Sequence, residues 1–500
     1  MNMKQASLRL CMGFAVVSMI SACGNAAAPA KTDKEGPASA STAAPFEVTW
    51  MTELFAPEPI KADDPRIKKV EALTGTKLSI NWVPSQAYSD KVNTSIAGGD
   101  LPKVLSVSDI RMPVISNAVK SGVFWELGPY LDAYPNLKRM ESGILDGTKY
   151  GGKIYGIYRY RPLSREAVII RKDWLDALGL PLPKTPEDLY NIAKAFTEQD
   201  PDKNGKKDTY GFTDASALYV LNYMNLWQGG YNKWGIEKGV FVPNFMTPAY
   251  MQAMKSVKRL YDEKLINQDF IIAKNNQSEE NFAGGKAGII IGAYNILDRT
   301  YGNLTKLFPQ AKVELITQIQ GVNGPKVIGG SGHNGINLIP KNTVKTEEDL
   351  KKVLAFLDKI CGEEIQNILR WGIEGTDYTM VNGKAKDLTK DTVHFSSYRQ
   401  LRMLEDKLIP AELSGLAERY AQVEAENDKI AVLNMTNGLE SKTYSEMGGT
   451  LDKNIEDARN KFLLGAIDEK GFQKAIDDWK KAGGDKVIEE YSKQYAERGK

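Results

Sequence analysis

Five hundred residues suffice for two or three domains, and 42 % apolar with 26 % charged side chains is ordinary globular composition, which excludes a fibrous or disordered chain. A formal charge of +2, from 65 basic and 63 acidic residues, excludes a strongly basic chain built to bind nucleic acid. Three cysteines and two histidines leave little material for a disulfide framework, a zinc centre or a histidine-assisted nucleophile.

The chain opens with Lys4 and Arg9, then an apolar stretch from Cys11 to Ile20 that falls short of the roughly 20 apolar residues a membrane span requires. Small residues follow, which is the pattern of a cleaved export signal. Ile20-Ser21-Ala22-Cys23-Gly24 resembles the bacterial lipobox. That resemblance implies removal of residues 1–22, lipidation of Cys23 and retention at the outer face of the cell membrane by acyl chains. The alternative is a secretory signal with an incidental cysteine. Without Lys4 and Arg9 the rest carries 63 basic and 63 acidic side chains, a balance that favours a neutral or weakly charged ligand. Only Cys361 then remains as a free thiol, and a buried apolar role fits it. Residues 23–45 are rich in Ala, Ser, Gly and Pro and read as a tether spanning on the order of 25 Å, at roughly 5–6 Å times the square root of residue number.

From Phe46 strands and helices alternate. Residues 46–51 read as a strand, and Asp64 caps a helix with Pro65 in its first turn and Gly75 as its left-handed stop. Residues 78–83 form the second strand, 89–97 a helix ending at Gly98-Gly99, and 104–107 the third strand. A βαβαβ start of this kind favours an open, mostly parallel sheet covered by helices. Ala167 to Ile170 is a near-continuous β-branched run suited to a strand buried on both faces. Thr185, Pro186 and Asp188 open a helix whose Leu189, Ile192, Ala193 and Phe196 share one face. Gly288 to Ile291 reads as another buried strand, and helical periodicity dominates from Leu350 onward, with Phe472, Ile476 and Trp479 on one face.

Asp200-Pro-Asp202-Lys-Asn204-Gly205-Lys206-Lys-Asp208 sets oxygen donors at the first, third, fifth and ninth places of a loop, the backbone carbonyl of Lys206 at the seventh and a glycine at the sixth. That is the order of an EF-hand calcium loop, in which a hard cation takes several converging oxygens. The twelfth place holds Gly211 where a bidentate glutamate belongs, so the last ligands fall to water, Asp208 or a residue elsewhere such as Asp214. A solvated Asp/Asn/Gly turn is the other reading. Gly330-Ser-Gly332-His333-Asn-Gly335 matches a dinucleotide fingerprint but leads into a strand ending at Pro340, where such a site needs a helix. His333 and His394 stand in unrelated contexts, and both read as structural.

Several phrases in fixed order, among them Tyr88-Ser-Asp-Lys-Val92, Gly122-Val-Phe-Trp-Glu-Leu127, Gly152-Lys-Ile-Tyr-Gly156, Phe282-Ala-Gly-Gly-Lys-Ala-Gly288 and Trp371-Gly-Ile-Glu-Gly-Thr-Asp-Tyr378, resemble family 1 extracellular solute-binding lipoproteins of ABC importers, of the long oligosaccharide-binding kind. The resemblance runs almost end to end. It implies an α/β fold of two lobes, each discontinuous in sequence, joined by hinge crossovers and closing on ligand like other class II binding proteins. It places about 46–160 with 312–370 in one lobe and about 161–311 with 371–500 in the other, each boundary set to within some ten residues. It also implies a permease partner, no nucleic acid, no catalysis, and a structural calcium ion in a loop like 200–208. Sugar sites combine aromatic platforms with fixed polar groups. Trp227, Trp234, Trp371 and Tyr378 are therefore candidate stacking residues, with a core position the competing role for each. Arg161, Asn232 and Glu374 are candidates to bond hydroxyls or an acidic group. Presentation of ligand to a membrane sensor is a second reading. An exported carbohydrate-active enzyme, with Glu374 and Asp377 as a carboxylate pair, is a third.

Overall fold

A computed structural model of the chain describes residues 45–389 and 396–498; the expected export signal and tether, Cys23 and His394 lie outside the described residues. Among the described residues no helix is long and apolar enough to cross a membrane.

The first sheet has five strands in the order Thr76–Pro84, Phe46–Leu54, Val104–Val107, His333–Leu338 and Gly156–Tyr160. Its first three strands are parallel, and His333–Leu338 runs antiparallel to both neighbours. The helices that permit this parallel order are Pro65–Thr74 and Ser85–Gly98. The first is set by Asp64, whose side chain accepts from the Arg66 N–H, and by Gly75 at φ 70°. Val48, Trp50, Val104 and Leu105 are fully buried, as a sheet covered on both faces demands. Helix Glu347–Ile360 adds Phe356, whose ring meets Trp50 edge-on with centroids 6.2 Å apart.

The second sheet has the order Val313–Ile316, Glu166–Arg171, Ala287–Ala293, Tyr210–Thr213. Helix Pro186–Glu198 packs on it, opened by a reciprocal cap between Thr185 and Asp188. Leu189, Ala193 and Phe196 are buried in a core separate from that of the first sheet, and Trp234, Phe472, Ile476 and Trp479 belong to the same second core. The structure is thus two α/β lobes, and the sheet of the second carries a further core on its other face, with Ile169, Ile290, Leu304 and Leu315.

Val313–Ile316 takes its hydrogen bonds from Glu166–Arg171, so the return to the first lobe falls after Ile316, within ten residues of the expected boundary. The partition drawn from the sequence differs further along. Tyr398, Leu401, Met403 and Leu404 pack in the first core, so the chain stays with the first lobe well past Trp371. The stretch after Leu350 is also less helical than its periodicity implies. Gly372, Gly375 and Gly383 adopt positive φ, and a hairpin of Tyr378–Val381 and Lys384–Asp387 interrupts the helices.

Candidate ligand cleft

Two passages between the lobes lie side by side. Arg161 donates its backbone N–H to the Gly332 carbonyl at 3.0 Å, and Gly330 donates to Leu163 at 2.6 Å. The glycines here are needed for close approach. A Cβ on Gly335, whose φ is +97°, would stand 2.4 Å from the Val107 carbonyl. His333–Leu338 is a strand, as the sequence pattern requires, so no helix terminus faces the glycine-rich turn. Asn427 braces the passages through its side-chain amide, which donates to the Glu166 carbonyl at 2.9 Å. Asn232 does the same, donating to the carbonyls of Gly329 at 2.8 Å and Val432 at 2.7 Å.

A cavity of about 270 Å³ opens over these passages, walled by Arg161, Arg165, Glu166, Ser331 and His333. A second, of about 360 Å³, shares Glu166 and Ile328 with it and adds Tyr219, Asn222, Tyr231 and Lys233. Together they form a polar cleft floored by both crossovers, a place where ligands are commonly held. A further cavity of about 380 Å³, beside Tyr190, Trp227 and Arg259, lies among the helices of the second lobe and does not touch the crossovers.

Electrostatics in the cleft are perturbed. Burial, then the neighbouring Arg165 and Arg399, lowers the Arg161 guanidinium to about 10. Burial raises the Glu166 carboxyl to about 7, although the Tyr223 hydroxyl, donating to it at 2.9 Å, and Arg165 both favour its charge. Burial lowers His333 to about 4, so its ring is neutral at neutral pH. Its Nδ1 accepts from the Gly335 N–H at 3.2 Å, which places the proton on Nε2, and that buried atom has no partner among the described residues.

The raised Glu166 value gives a signed expectation. Between about pH 4.5 and 7 the folded chain keeps a proton that the unfolded chain releases, so this group's contribution to stability falls as pH rises through that window. Glu166→Gln, which still accepts from Tyr223, is expected to melt with wild type at pH 4 and above it at pH 8. A difference in melting temperature that is the same at both pH values would contradict the assignment.

The sequence-derived candidates divide. Arg161 and Asn232 border the cleft. Trp227 is buried, its ring tilted against that of Tyr223 with centroids 5.3 Å apart, and its indole donates to the Lys326 carbonyl. Trp234 sits among Phe241, Trp479 and Tyr491. Trp371 and Tyr378 are buried against each other at 6.4 Å, and Trp371 donates to Ile409. Core packing thus occupies all four rings. Glu374 is exposed by Tyr378 in a separate hollow on the first lobe. Asp377 is buried in an ion pair with Arg66, so the two acids do not form a facing pair. Sequence reading passed over Arg165 and Tyr219, which line the cleft, and Arg399, whose charge bears on Arg161.

The loop 200–208 folds in the expected order. Asp200 accepts from the N–H of Asn204 at 3.2 Å and of Gly205 at 3.0 Å, with Gly205 at φ 78°. The Asn204 amide donates to Asp202 at 2.8 Å and to Asp208 at 3.2 Å, so the carboxylates gather around one electropositive group. Partial burial, then Asp200 and Asp208, raises the Asp202 carboxyl. Among the described residues no three acidic, histidine or cysteine side chains already stand in metal-holding positions. Asp214 is not available to the loop. It is buried at the start of helix Tyr219–Trp227 and accepts the N–H groups of Ala215, Tyr219 and Val220.

Residues 56–366 match the family described as bacterial extracellular solute-binding protein. The chain is 36 % identical to the polygalacturonan/rhamnogalacturonan-binding protein YtcQ of Bacillus subtilis, over 99 % of each chain. It is also 36 % identical to the lipoprotein LipO of the same organism, over 89 % of this chain and 91 % of that one. A solved structure of the Streptococcus pneumoniae ABC-transporter substrate-binding protein FusA, an EF-hand mutant in complex with fructo-nystose, shares the fold. Its TM-score is 0.60 at 18 % identity, over 90 % of this chain and 99 % of that one. With two separately cored α/β lobes, adjoining crossovers and a polar cleft over them, this chain belongs to the bacterial extracellular solute-binding protein family.

Proposed function

We propose that the protein captures an oligosaccharide between its lobes and delivers it to the membrane permease of an ABC importer. The observation that carries this reading is the polar cleft floored by the paired crossovers, where a ligand touches both lobes and stabilises the closed form. YtcQ and FusA, one named for a polysaccharide and one solved with an oligosaccharide, support the ligand class. The lipobox-like Cys23 and the relative named as a lipoprotein support an anchor at the outer face of the cell membrane. A thermal-shift screen of the purified protein against neutral and acidic oligosaccharides tests the reading. A ligand at 100 times its Kd adds about 2.7 kcal/mol and raises the melting temperature. Silence across the panel, or turnover of any sugar that does bind, would contradict it.

A calcium ion in the loop 200–208 is part of the same proposal. Asp200, Asp202, Asn204, the Lys206 carbonyl and Asp208 would hold it, with water completing the shell and the ion tying the loop to helix Pro186–Glu198. The FusA structure described as an EF-hand mutant supports it. Calcium is expected to raise the melting temperature over that in chelator, and Asp200→Asn, which keeps an acceptor for the backbone, is expected to lose most of that rise. Identical melting of wild type in calcium and in chelator would contradict the ion.

A further inference from the structure

A carboxyl stands where the two crossovers meet, and its geometry leaves half of it free. Glu166 opens the strand Glu166–Arg171 and walls both cleft cavities. Its position is fixed from three sides. The Asn427 amide donates to its backbone carbonyl at 2.9 Å, and its own N–H donates to the Ser164 hydroxyl at 3.3 Å. The Tyr223 hydroxyl, from helix Tyr219–Trp227, donates to Oε2 of its carboxyl at 2.9 Å. That same hydroxyl accepts from the Ile328 N–H at 3.4 Å, at the entry to the second passage. Among the described residues no hydrogen bond or ion pair reaches Oε1, so that oxygen is available to a ligand in the cavities that Glu166 walls.

The groups around this carboxyl decide the form in which it meets a ligand. Arg161 and Arg165 stand on the first crossover, and His333 begins the strand His333–Leu338. Tyr219 and Tyr223 belong to one helix, and Tyr231 and Lys233 to the turn that follows it. Tyr294 adjoins Ala293, the strand partner of Glu166, and gives its hydroxyl to Glu424. Arg165 favours the charged form from a distance, yet neither it nor Arg161 or Lys233 forms an ion pair with Glu166 among the described residues. The charge of Glu166 is therefore supported by one neutral donor and by solvent. Burial already raises its carboxyl to about 7. A sugar that fills the cavities, and the lobes that close over it, take the solvent away and favour the neutral acid further.

We propose that Glu166 meets the solute as a neutral acid, donating from Oε1 to a sugar oxygen while Oε2 accepts from Tyr223, so that capture takes up a proton. The proposal rests on the oligosaccharide reading of the cleft and adds to it a specificity-determining donor and a direction of pH dependence. Ring and bridging oxygens of a sugar accept hydrogen bonds and cannot donate them. A donor fixed at the floor of the cleft reads the position of such an oxygen, whereas a carboxylate there would set two acceptors against each other without a proton between them. The proton comes from solvent and returns to it when the sugar leaves. Below about pH 6 the carboxyl is neutral before and after binding, and affinity is level. Above about pH 7 binding must also protonate it, so affinity falls as pH rises, by up to about tenfold per unit.

The test is calorimetric titration at pH 6 and pH 8.5 with the sugars of the thermal screen, trigalacturonate and fructo-nystose among them, on wild type and Glu166→Gln. A sugar that binds wild type is expected to bind about tenfold or more weakly at pH 8.5 than at pH 6. At pH 8 its heat of binding to wild type should differ between phosphate and Tris buffers by the uptake of about one proton per sugar. Glu166→Gln keeps an acceptor for Tyr223 and a donor that does not titrate, so its affinity is expected to be level over the same range. His333, at about 4, titrates below it. Wild-type affinity that is level or rises with pH, or a heat that is the same in both buffers, would overturn the proposal and leave the oligosaccharide reading standing. So would a fall that persists in Glu166→Gln, which would assign the proton to Asp214 or Glu424, both also raised by burial. If nothing binds, both fall.

Discussion

Gly211→Glu, which supplies the carboxylate that the twelfth place of the calcium loop lacks, is expected to unfold the second lobe rather than tighten the ion. Gly211 lies in the strand Tyr210–Thr213, pressed against helix Pro186–Glu198. A Cβ there would stand 2.3 Å from the Ala193 Cβ, 2.5 Å from its Cα and 2.8 Å from its carbonyl oxygen. Two of those atoms are backbone in the middle of a capped helix, so no rotamer change relieves the contact. The helix must move off the sheet that buries Phe196 and Leu189. Overpacking by one or two methylenes costs about 1–3 kcal/mol, and a backbone collision of this kind belongs in the tail, on the order of 4 kcal/mol or more. Thermal and urea melting of the variant should show that loss whether or not calcium is present. A variant that melts like wild type and binds calcium more tightly would show that the helix and strand are not packed as described.

The second large effect is expected at Asp377. Its carboxylate takes two bonds from Arg66, one from Nε at 2.9 Å and one from Nη2, and a third from the Ile373 N–H at 2.8 Å. Arg66 also meets Asp64 at 3.0 Å, and Asp64 accepts from the Tyr398 hydroxyl at 2.7 Å. Helix Pro65–Thr74, the turn after Trp371 and the segment that carries Arg399 are thereby joined. The Arg66 side chain is 15 % exposed and the Asp377 side chain 5 %, so water screens the pair only in part. The pairing holds the Arg66 guanidinium above its ordinary pKa, so it stays charged when its partner goes. Asp377→Ala is expected to cost about 2–4 kcal/mol, less than a fully buried pair because Asp64 remains. Thermal and urea melting check this, and unchanged stability would remove the network from the account.

What the sequence revealed was local. Asp64, Pro65 and Gly75 mark a helix because capping and a left-handed stop act within a turn, and Thr185 with Asp188 does the same. The β-branched run before Lys172 announced a strand buried on both faces for an equally local reason. Strand pairing is not local, so nothing within residues 313–316 tells that they hydrogen-bond to Glu166–Arg171 rather than to the strand that follows. The aromatic candidates failed to separate for a related reason. Trp227 and Trp234 flank a glycine-rich turn in the sequence, yet the rings that cover them come from Tyr223 and, far along the chain, from Trp479 and Tyr491. Arg165 was within reach, as a cation in a polar segment between strands of different lobes. Arg399 was not, because only the path of the chain after Trp371 brings it to Arg161.

The account rests on capture between the lobes, and small-angle X-ray scattering of the purified protein, with and without a saturating oligosaccharide identified in the thermal screen, tests that most directly. Binding in the cleft draws two separately cored lobes together over the crossovers at Arg161 and Gly332, so the radius of gyration should fall on addition of the sugar. A saturated protein whose scattering curve does not change would place the ligand on one lobe alone and contradict the account.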